Sequence, residues 1–403
     1  MSPQESPASP PARVRLHFLD GLRGLACLYV LLFHELNSKL FDPGELTPAL
    51  RGLRAWLNYG RLSVVFFIVL SGFSLMLPIA RSGKIEMAGG LGKFVYRRAR
   101  RILPPYYVAL ALSAGLIVVF NSLGPHFGMG QRIDDAALQP ASVISHLFLV
   151  HNLSFDWVYR INGPMWSVAT EWQIYFVFAL CLVPICRRFG ALVTTGVAWL
   201  VGCAPFFLLP KDANFYWACP WFIGSFSLGM YGALIGFAPS YQGSVLRSRV
   251  PWGWLGLAGF VLLIALARTG RADSWPYPVL DFVVSLFAFA WINACVARSQ
   301  LHLEARSLML RILGSRALVY LGGFSYSLYL IQHPMLRFLE KGVARLHWGP
   351  DASALAQLFL ATPIVMAAAW LFSELFERPF TSGGIVLPAL RRLISAPRAE
   401  TSS

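Results

Sequence analysis

Apolar residues in this chain gather into long runs instead of alternating or recurring every third or fourth position. Ten runs of about 20 residues stand out: 18–37, 62–80, 103–121, 165–186, 190–209, 216–237, 252–267, 277–297, 317–336 and 353–374. Read as a helix, a run of that length crosses the hydrocarbon core of a bilayer. The pattern predicts an all-α integral membrane protein with about ten transmembrane helices. The apolar run at 141–153 is too short to cross, so it reads as a re-entrant or interfacial helix within the third connection.

The connections carry a charge bias. Of 34 Lys and Arg residues, 21 fall on the side of the N-terminus, 12 on the opposite side, and Arg23 lies inside the first run. Cytoplasmic connections hold the excess of cations, so both termini are expected in the cytoplasm, as an even number of spans requires. Residues 1–12, rich in Ser and Pro, read as a disordered tail, 13–380 as one polytopic domain, and 381–403 as a second cytoplasmic tail. The first run contains Asp20 and Arg23 and lacks a small-residue cleavage site, so it is expected to remain as a helix instead of leaving as a signal peptide.

Composition sharpens this. With 56% hydrophobic and 13% charged residues and a mean hydropathy of +0.57, the chain departs from soluble globular proteins, which carry about 25% charged residues. The net charge of +15 then reports topology rather than nucleic-acid binding. Cys27, Cys181, Cys186, Cys203, Cys219 and Cys295 all lie in apolar stretches, without a CxxC pair or a histidine cluster. Inert thiols are expected, with no disulfide framework and no metal site.

Ionisable residues inside spans are costly and mark candidate function. In LDGLRGLACLYVLLFHE, Arg23 and His34 are eleven residues apart, about 20° past three helical turns, so they share one face about 16 Å apart. Histidine suits a general base near neutral pH, and an arginine in a span suits an anionic ligand. The structural alternatives are an Arg23–Asp20 pair at i, i+3 and a satisfied helix-end histidine. Glu171 sits in GPMWSVATEWQIYF with Trp166, Trp172 and Tyr175 around it. It is either an arginine's structural partner or a group that orients His34 or a substrate hydroxyl. KFVYRRARRILPPYY places four arginines within five residues before a span, which means topology and lipid contact or a clamp for phosphates. Ser71–Gly72 within the second span reads as close helix packing, with Ser71 as a nucleophile the weaker reading. In FSYSLYLIQHPML, Pro334 is expected to kink the ninth span, and Ser325, Tyr326, Tyr329, Gln332 and His333 read as a cavity wall or as interhelical glue.

Taken in order, LDGLRGLA with the R-x10-H pair Arg23 and His34, FFIVLSGF, the R-x-x-R-I-x-P pattern at Arg98, Arg101 and Pro104, WSVATEWQIYF, FSYSLYLIQHP and FERPF resemble the acyltransferase-3 superfamily of polytopic membrane O-acyltransferases over about residues 15–380. The resemblance implies transfer of an acyl group, usually acetyl, from cytoplasmic acyl-coenzyme A, the donor substrate, to a hydroxyl of a glycan, lipid-linked sugar or similar acceptor. It also implies a multi-pass protein of the bacterial inner membrane. The family's essential positions map onto Arg23, His34, Arg98 and Arg101. Two departures stand out: many relatives read YSLYLxHxP where this chain has Gln332 followed by His333, and Ala169 and Thr170 replace residues more often Ser and Val. With no hydrolase module following, the membrane unit is expected to act alone or with separate partners.

The expected mechanism docks coenzyme A phosphates on Arg98 and Arg101, with the pantetheine arm passing Arg23 and the thioester near His34, the general base. Glu171 holds the imidazole as a triad carboxylate does. Trp166, Tyr175 and Tyr326 contact substrate, and Tyr175, Tyr326 and Arg23 are the candidates for stabilising the oxyanion. The competing class is a proton-coupled transporter using Arg23, His34 and Glu171 as a relay, for which repeated halves with broken helices would be the sign. The chain shows no internal repeat.

Overall fold

The computed structural model describes residues 16–381, apart from 39, 124–134, 211–214, 270–273, 302 and 304. The predicted tails 1–12 and 381–403, Thr381 excepted, lie outside the described residues, as do both termini. Among the described residues every regular element is helical. Among the described residues, seven stretches are long and apolar enough to cross a membrane: Pro48–Ser82, Gly90–Ser122, Met165–Phe189, Ala191–Leu208, Tyr216–Phe237, Tyr277–Gln300 and Pro350–Thr381. Each contains one of the predicted runs or most of it.

The other three predicted spans are also helical but depart from expectation. The first is a 20-residue helix, His17–Leu36, with Asp20, Arg23 and Glu35 diluting its apolar character. The seventh, Trp252–Arg268, stops at 17 residues. The ninth is two helices, Arg316–Gly323 and Ser325–Ala344, divided at Phe324. The break follows Gly322–Gly323, whereas the helix continues through Pro334. In place of a single segment over 141–153, the chain forms a helix at Pro140–Leu147 and a short 3-10 turn at His151–Leu153.

The helices that frame the site are α1 (His17–Leu36), α2 (Gly60–Ser82), α3 (Gly90–Leu123), α4 (Met165–Val177), α5 (Phe222–Phe237), α6 (Tyr277–Gln300), α7 (Arg316–Gly323), α8 (Ser325–Ala344) and α9 (Pro350–Thr381). Among the described residues three wide π-helical turns occur, at Phe178–Leu182, Gln357–Ala361 and Ser373–Glu377, each ending just before a proline: Pro184, Pro363 and Pro379. A proline lacks the N–H that closes the α-helical ladder and clashes with the carbonyl four residues back. Local widening accommodates both.

Glycines decide which helices touch. A Cβ on Gly72 would lie 1.9 Å from the Phe226 carbonyl oxygen, and one on Gly229 would lie 1.9 Å from that of Val69. The backbones of α2 and α5 are therefore in direct contact, as small residues permit in membranes. In α1, Gly21 and Gly24 lie against the carbonyls of Leu313 and Leu318, and Gly322 of α7 lies against that of Asp20. Gly72→Val is expected to force α2 and α5 apart and cost about 1–3 kcal/mol or more, read as a lower melting temperature in detergent. Gly115→Ala in α3, with nothing within 4 Å, is the neutral control.

Side-chain contacts fix the helix directions around the site. Arg23 of α1 meets Ser74 of α2, and Phe33 packs at Gly60, so α1 and α2 are antiparallel. Cys27 meets Ser325 and His34 meets His333, so α1 and α8 run parallel. Ser71 meets Glu171 and Ser167 meets Tyr329, so α4 lies against both α2 and α8. One end of this group carries Arg23, and the other carries His34.

Candidate active site

A narrow cavity of about 130 Å³ runs between α1, α2, α3, α4 and α8. Its wall on α2 is a single stripe, Val64, Phe67, Ile68, Ser71, Ser74 and Leu75, at the i, i+3, i+4, i+7 spacing of one helix face. From Val64 to Leu75 the stripe is about 16 Å long at 1.5 Å per residue. A slot of that length suits an extended chain rather than a compact ligand.

Five of the sequence-predicted site residues gather toward one end. Arg23, Arg98, Arg101, Tyr175 and Tyr326 all line the slot, with Glu171 near its middle. Arg23 does pair with Asp20, at 3.0 Å, and its second terminal nitrogen donates to Ser74 Oγ at 2.6 Å. Arg98 has a buried Nε with no hydrogen-bond partner among the described residues, and Arg101 lies within electrostatic reach of Arg23. Tyr326 donates to the Ile102 carbonyl at 3.1 Å. The structure thus joins the first-span arginine to the second-connection arginines, which the sequence reading linked only through a hypothetical ligand.

Glu171 is placed differently from expectation. Its Oε1 accepts from Ser71 Oγ in a short hydrogen bond and from Tyr175 OH at 2.6 Å, and no described hydrogen bond joins it to His34. The levels explain why. Ser167 Oγ and Tyr329 OH meet at 2.6 Å. From that contact Glu171 is four residues along α4 toward the arginines, and His333 is four residues along α8 the other way. At 1.5 Å per residue they are about 12 Å apart along the slot. A carboxylate–imidazole pair is therefore absent from this arrangement.

His34 lies beyond the Val64 end, half-buried, with its ring centroid 6.0 Å from that of His333 in an edge-on arrangement. The fully buried carboxamide of Gln332 adjoins it, and its Nδ1 has no hydrogen-bond partner among the described residues. The segment before α4 is pinned there by Asn162, which donates to Ser113 Oγ at 3.1 Å and to the Leu330 carbonyl at 2.8 Å. Trp166 is apart from the slot lining. It is buried between Trp217 and Phe222, 6.2 Å from each ring, with the Arg61 guanidinium 5.8 Å from its centroid.

Several polar groups at the site escaped the sequence reading. Ser71 was set aside because its neighbour Gly72 packs; residues one apart differ by about 100° in direction, so Gly72 faces α5 while Ser71 faces the slot. Glu377, just past the predicted end of the tenth span, is buried and accepts from Ser327 at 2.5 Å and Ser373 at 3.3 Å, within reach of Arg101. Arg61, counted as a connection cation, sits in the first turn of α2 and pairs with buried Asp281 of α6 at 2.7 Å, where Trp221 Nε1 also donates. Both carboxylates lie in or beside apolar runs, the signal that would have found them.

Apolar helices of membrane-spanning length around an interior slot, with arginines toward one end and two imidazoles beyond the other, define a polytopic membrane protein with a polar interior path. Comparison with known proteins gives its family: the model of an acyltransferase domain, that of the acyltransferase-3 family, matches residues 16–374. The chain belongs to that family and is a membrane acyltransferase. It is similar to acyltransferase MdmB of Streptomyces mycarofaciens, 27% identical over 398 residues, covering 92% of each chain. It is also similar to O-acetyltransferase OatA of Staphylococcus aureus, 24% identical over 341 residues, 80% of this chain and 51% of that protein. A third relative, the putative peptidoglycan O-acetyltransferase YrhL of Bacillus subtilis, is 30% identical over 171 residues, 41% of this chain and 23% of that protein. No solved structure matches the chain.

Proposed function

We propose that the protein transfers a small acyl group, most simply acetyl, from acyl-coenzyme A on the cytoplasmic side to a hydroxyl of a glycan on the other side of the bacterial inner membrane, with His34 as general base. The observation that carries this reading is the slot, which gathers Arg23, Arg98 and Arg101 toward one end and runs about 16 Å along α2 in the direction of His34. Forked guanidiniums suit phosphates, and the slot suits an extended pantetheine arm. With the nucleotide held outside, the thioester comes to the histidine end. The 21 cations on the N-terminal side support placing Arg98 and Arg101, and both termini, in the cytoplasm. The names of the Staphylococcus and Bacillus relatives support an O-linked acetyl group and a glycan acceptor.

In this reading Glu171 acts on the donor rather than on His34: with Ser71 and Tyr175 it forms the polar lining that the amides of the arm pass. The test is ligand-dependent melting of the detergent-purified protein. Acetyl-coenzyme A at about 100 times its Kd is expected to stabilise the fold by about 2.7 kcal/mol, 3′,5′-ADP less and pantetheine least. No shift with acetyl- or longer acyl-coenzyme A would overturn the donor assignment and move weight to transport.

A further inference from the structure

We propose that His333 is a second reacting group of the same centre: its imidazole N–H donates to the carbonyl oxygen of the thioester and holds the oxyanion while His34 takes the acceptor's proton. The proposal rests on the reading of His34 as the base. Acyl transfer needs a donor about 3 Å from the oxygen on which charge develops. The three side chains that the sequence offered are in the wrong place. Tyr175 and Tyr326 are committed to Glu171 and to the Ile102 carbonyl. Arg23, eleven residues from His34 on α1, is about 16 Å from it along the axis and bound to Asp20 and Ser74.

At the His34 end the geometry is specific. The two ring centroids are 6.0 Å apart, with planes at 72°. In a tetrahedral intermediate the attacking oxygen and the oxyanion share one carbon, and two nitrogens each about 2.8 Å from those oxygens lie roughly 6 Å from one another. His34 and His333 are both half-buried, so a substrate can reach both rings, whereas Gln332 is fully buried. A Cβ on Gly163 would lie 3.8 Å from His333 Cε1 and Nε2, so the Asn162-pinned segment backs the ring. Arg337, one turn further along α8, adds positive potential within reach of His333.

The step balances without a further reagent. The acceptor oxygen bonds to the thioester carbon as His34 removes its proton, and the carbonyl π pair moves onto oxygen, held by His333. When that pair returns, the carbon–sulfur bond breaks, and the leaving thiolate takes the proton from His34. The products are the O-acyl acceptor and coenzyme A.

The experiment uses membranes from a deletion strain carrying full-length variants, with radiolabelled acetyl-coenzyme A as donor and the endogenous acceptor. Initial rates of incorporation into base-labile esters and KM for acetyl-coenzyme A are measured. Donor binding to each purified variant is followed by melting. His333→Ala and His333→Phe are expected to lose 100-fold or more in kcat, with KM and the acetyl-coenzyme A melting shift within threefold of wild type. His333→Gln and His333→Asn, which keep an N–H donor, should recover at least tenfold over His333→Ala. The proposal falls if His333→Phe retains more than a third of the rate, or if the amide variants do no better than alanine. Near-normal rates in His34→Ala overturn the base assignment and this proposal with it. If the wild-type copy adds no more label than the deletion strain, the transfer reading itself fails. Acetyl-coenzyme A binding with normal transfer by the His333 variants overturns this proposal alone.

Discussion

His34→Ala is expected to lower acyl transfer by 10²–10⁴-fold, the usual contribution of a positioned general base, while acyl-coenzyme A binding survives. The separation of effects follows from the slot. The proposed phosphate ligands Arg98 and Arg101 line it along with Arg23, and His34 lies about 16 Å from Arg23 on the same helix. Removing the imidazole therefore leaves the anchoring groups in place. A second expectation distinguishes loss of a base from loss of fold. His34 is half-buried and packs at helix α1's end against Phe33 and His333, so its truncation leaves a space that free imidazole can enter. Added imidazole is expected to restore part of the rate in His34→Ala. Membranes carrying His34→Ala that acetylate at near the wild-type rate would sink the base assignment.

What the sequence could reveal depended on the range of the interactions involved. Run lengths marked ten spans, and seven of them are membrane-length helices among the described residues, because about 20 apolar residues suffice to define a span, whatever surrounds it. The shared face of Arg23 and His34 was legible for the same reason: helical periodicity alone places them. The division of the ninth span at Phe324 was not legible in run length, which does not register the Gly322–Gly323 pair just before it; in the fold Gly322 meets the Asp20 carbonyl of α1. Relative level along the bundle was equally hidden. Glu171 and His34 each stand out as ionisable groups in spans, yet sequence does not say how far α4 is shifted against α1. That shift, about 12 Å between the levels of Glu171 and His333, gives Glu171 to Ser71 and Tyr175 instead of to the imidazole. His333 stands one position from the histidine that many relatives carry, and by sequence it reads only as a cavity wall or interhelical glue. Its direction toward His34 is set by the packing of α8 on α1, which no motif records.

Arg98→Ala and Arg101→Ala should act on the opposite end of the reaction. Each is expected to raise KM for acyl-coenzyme A with a much smaller change in kcat. A charge-assisted hydrogen bond contributes about 1.5–3 kcal/mol, and 1.4 kcal/mol is a factor of ten; each substitution should therefore raise KM by about 10–100-fold. The two should not be equal. Arg98 is partly buried, with an Nε that has no described partner, whereas Arg101 is exposed and shares its field with Arg23 and Glu377. Burial strengthens a guanidinium–phosphate contact and shields it from salt. Arg98→Ala should show the larger loss and retain it at high ionic strength, while the loss in Arg101→Ala should shrink as salt weakens the wild-type contact. Arg98→Lys keeps the charge but not the planar fork, so it should recover only part of the affinity. The double variant is expected to lose more than either single, because both guanidiniums face one slot and the second partly compensates for the first. Titrating initial rate against acyl-coenzyme A at two salt concentrations measures all of this. An unchanged KM in the double variant would mean that these arginines report topology and lipid contact alone, and that the donor enters elsewhere.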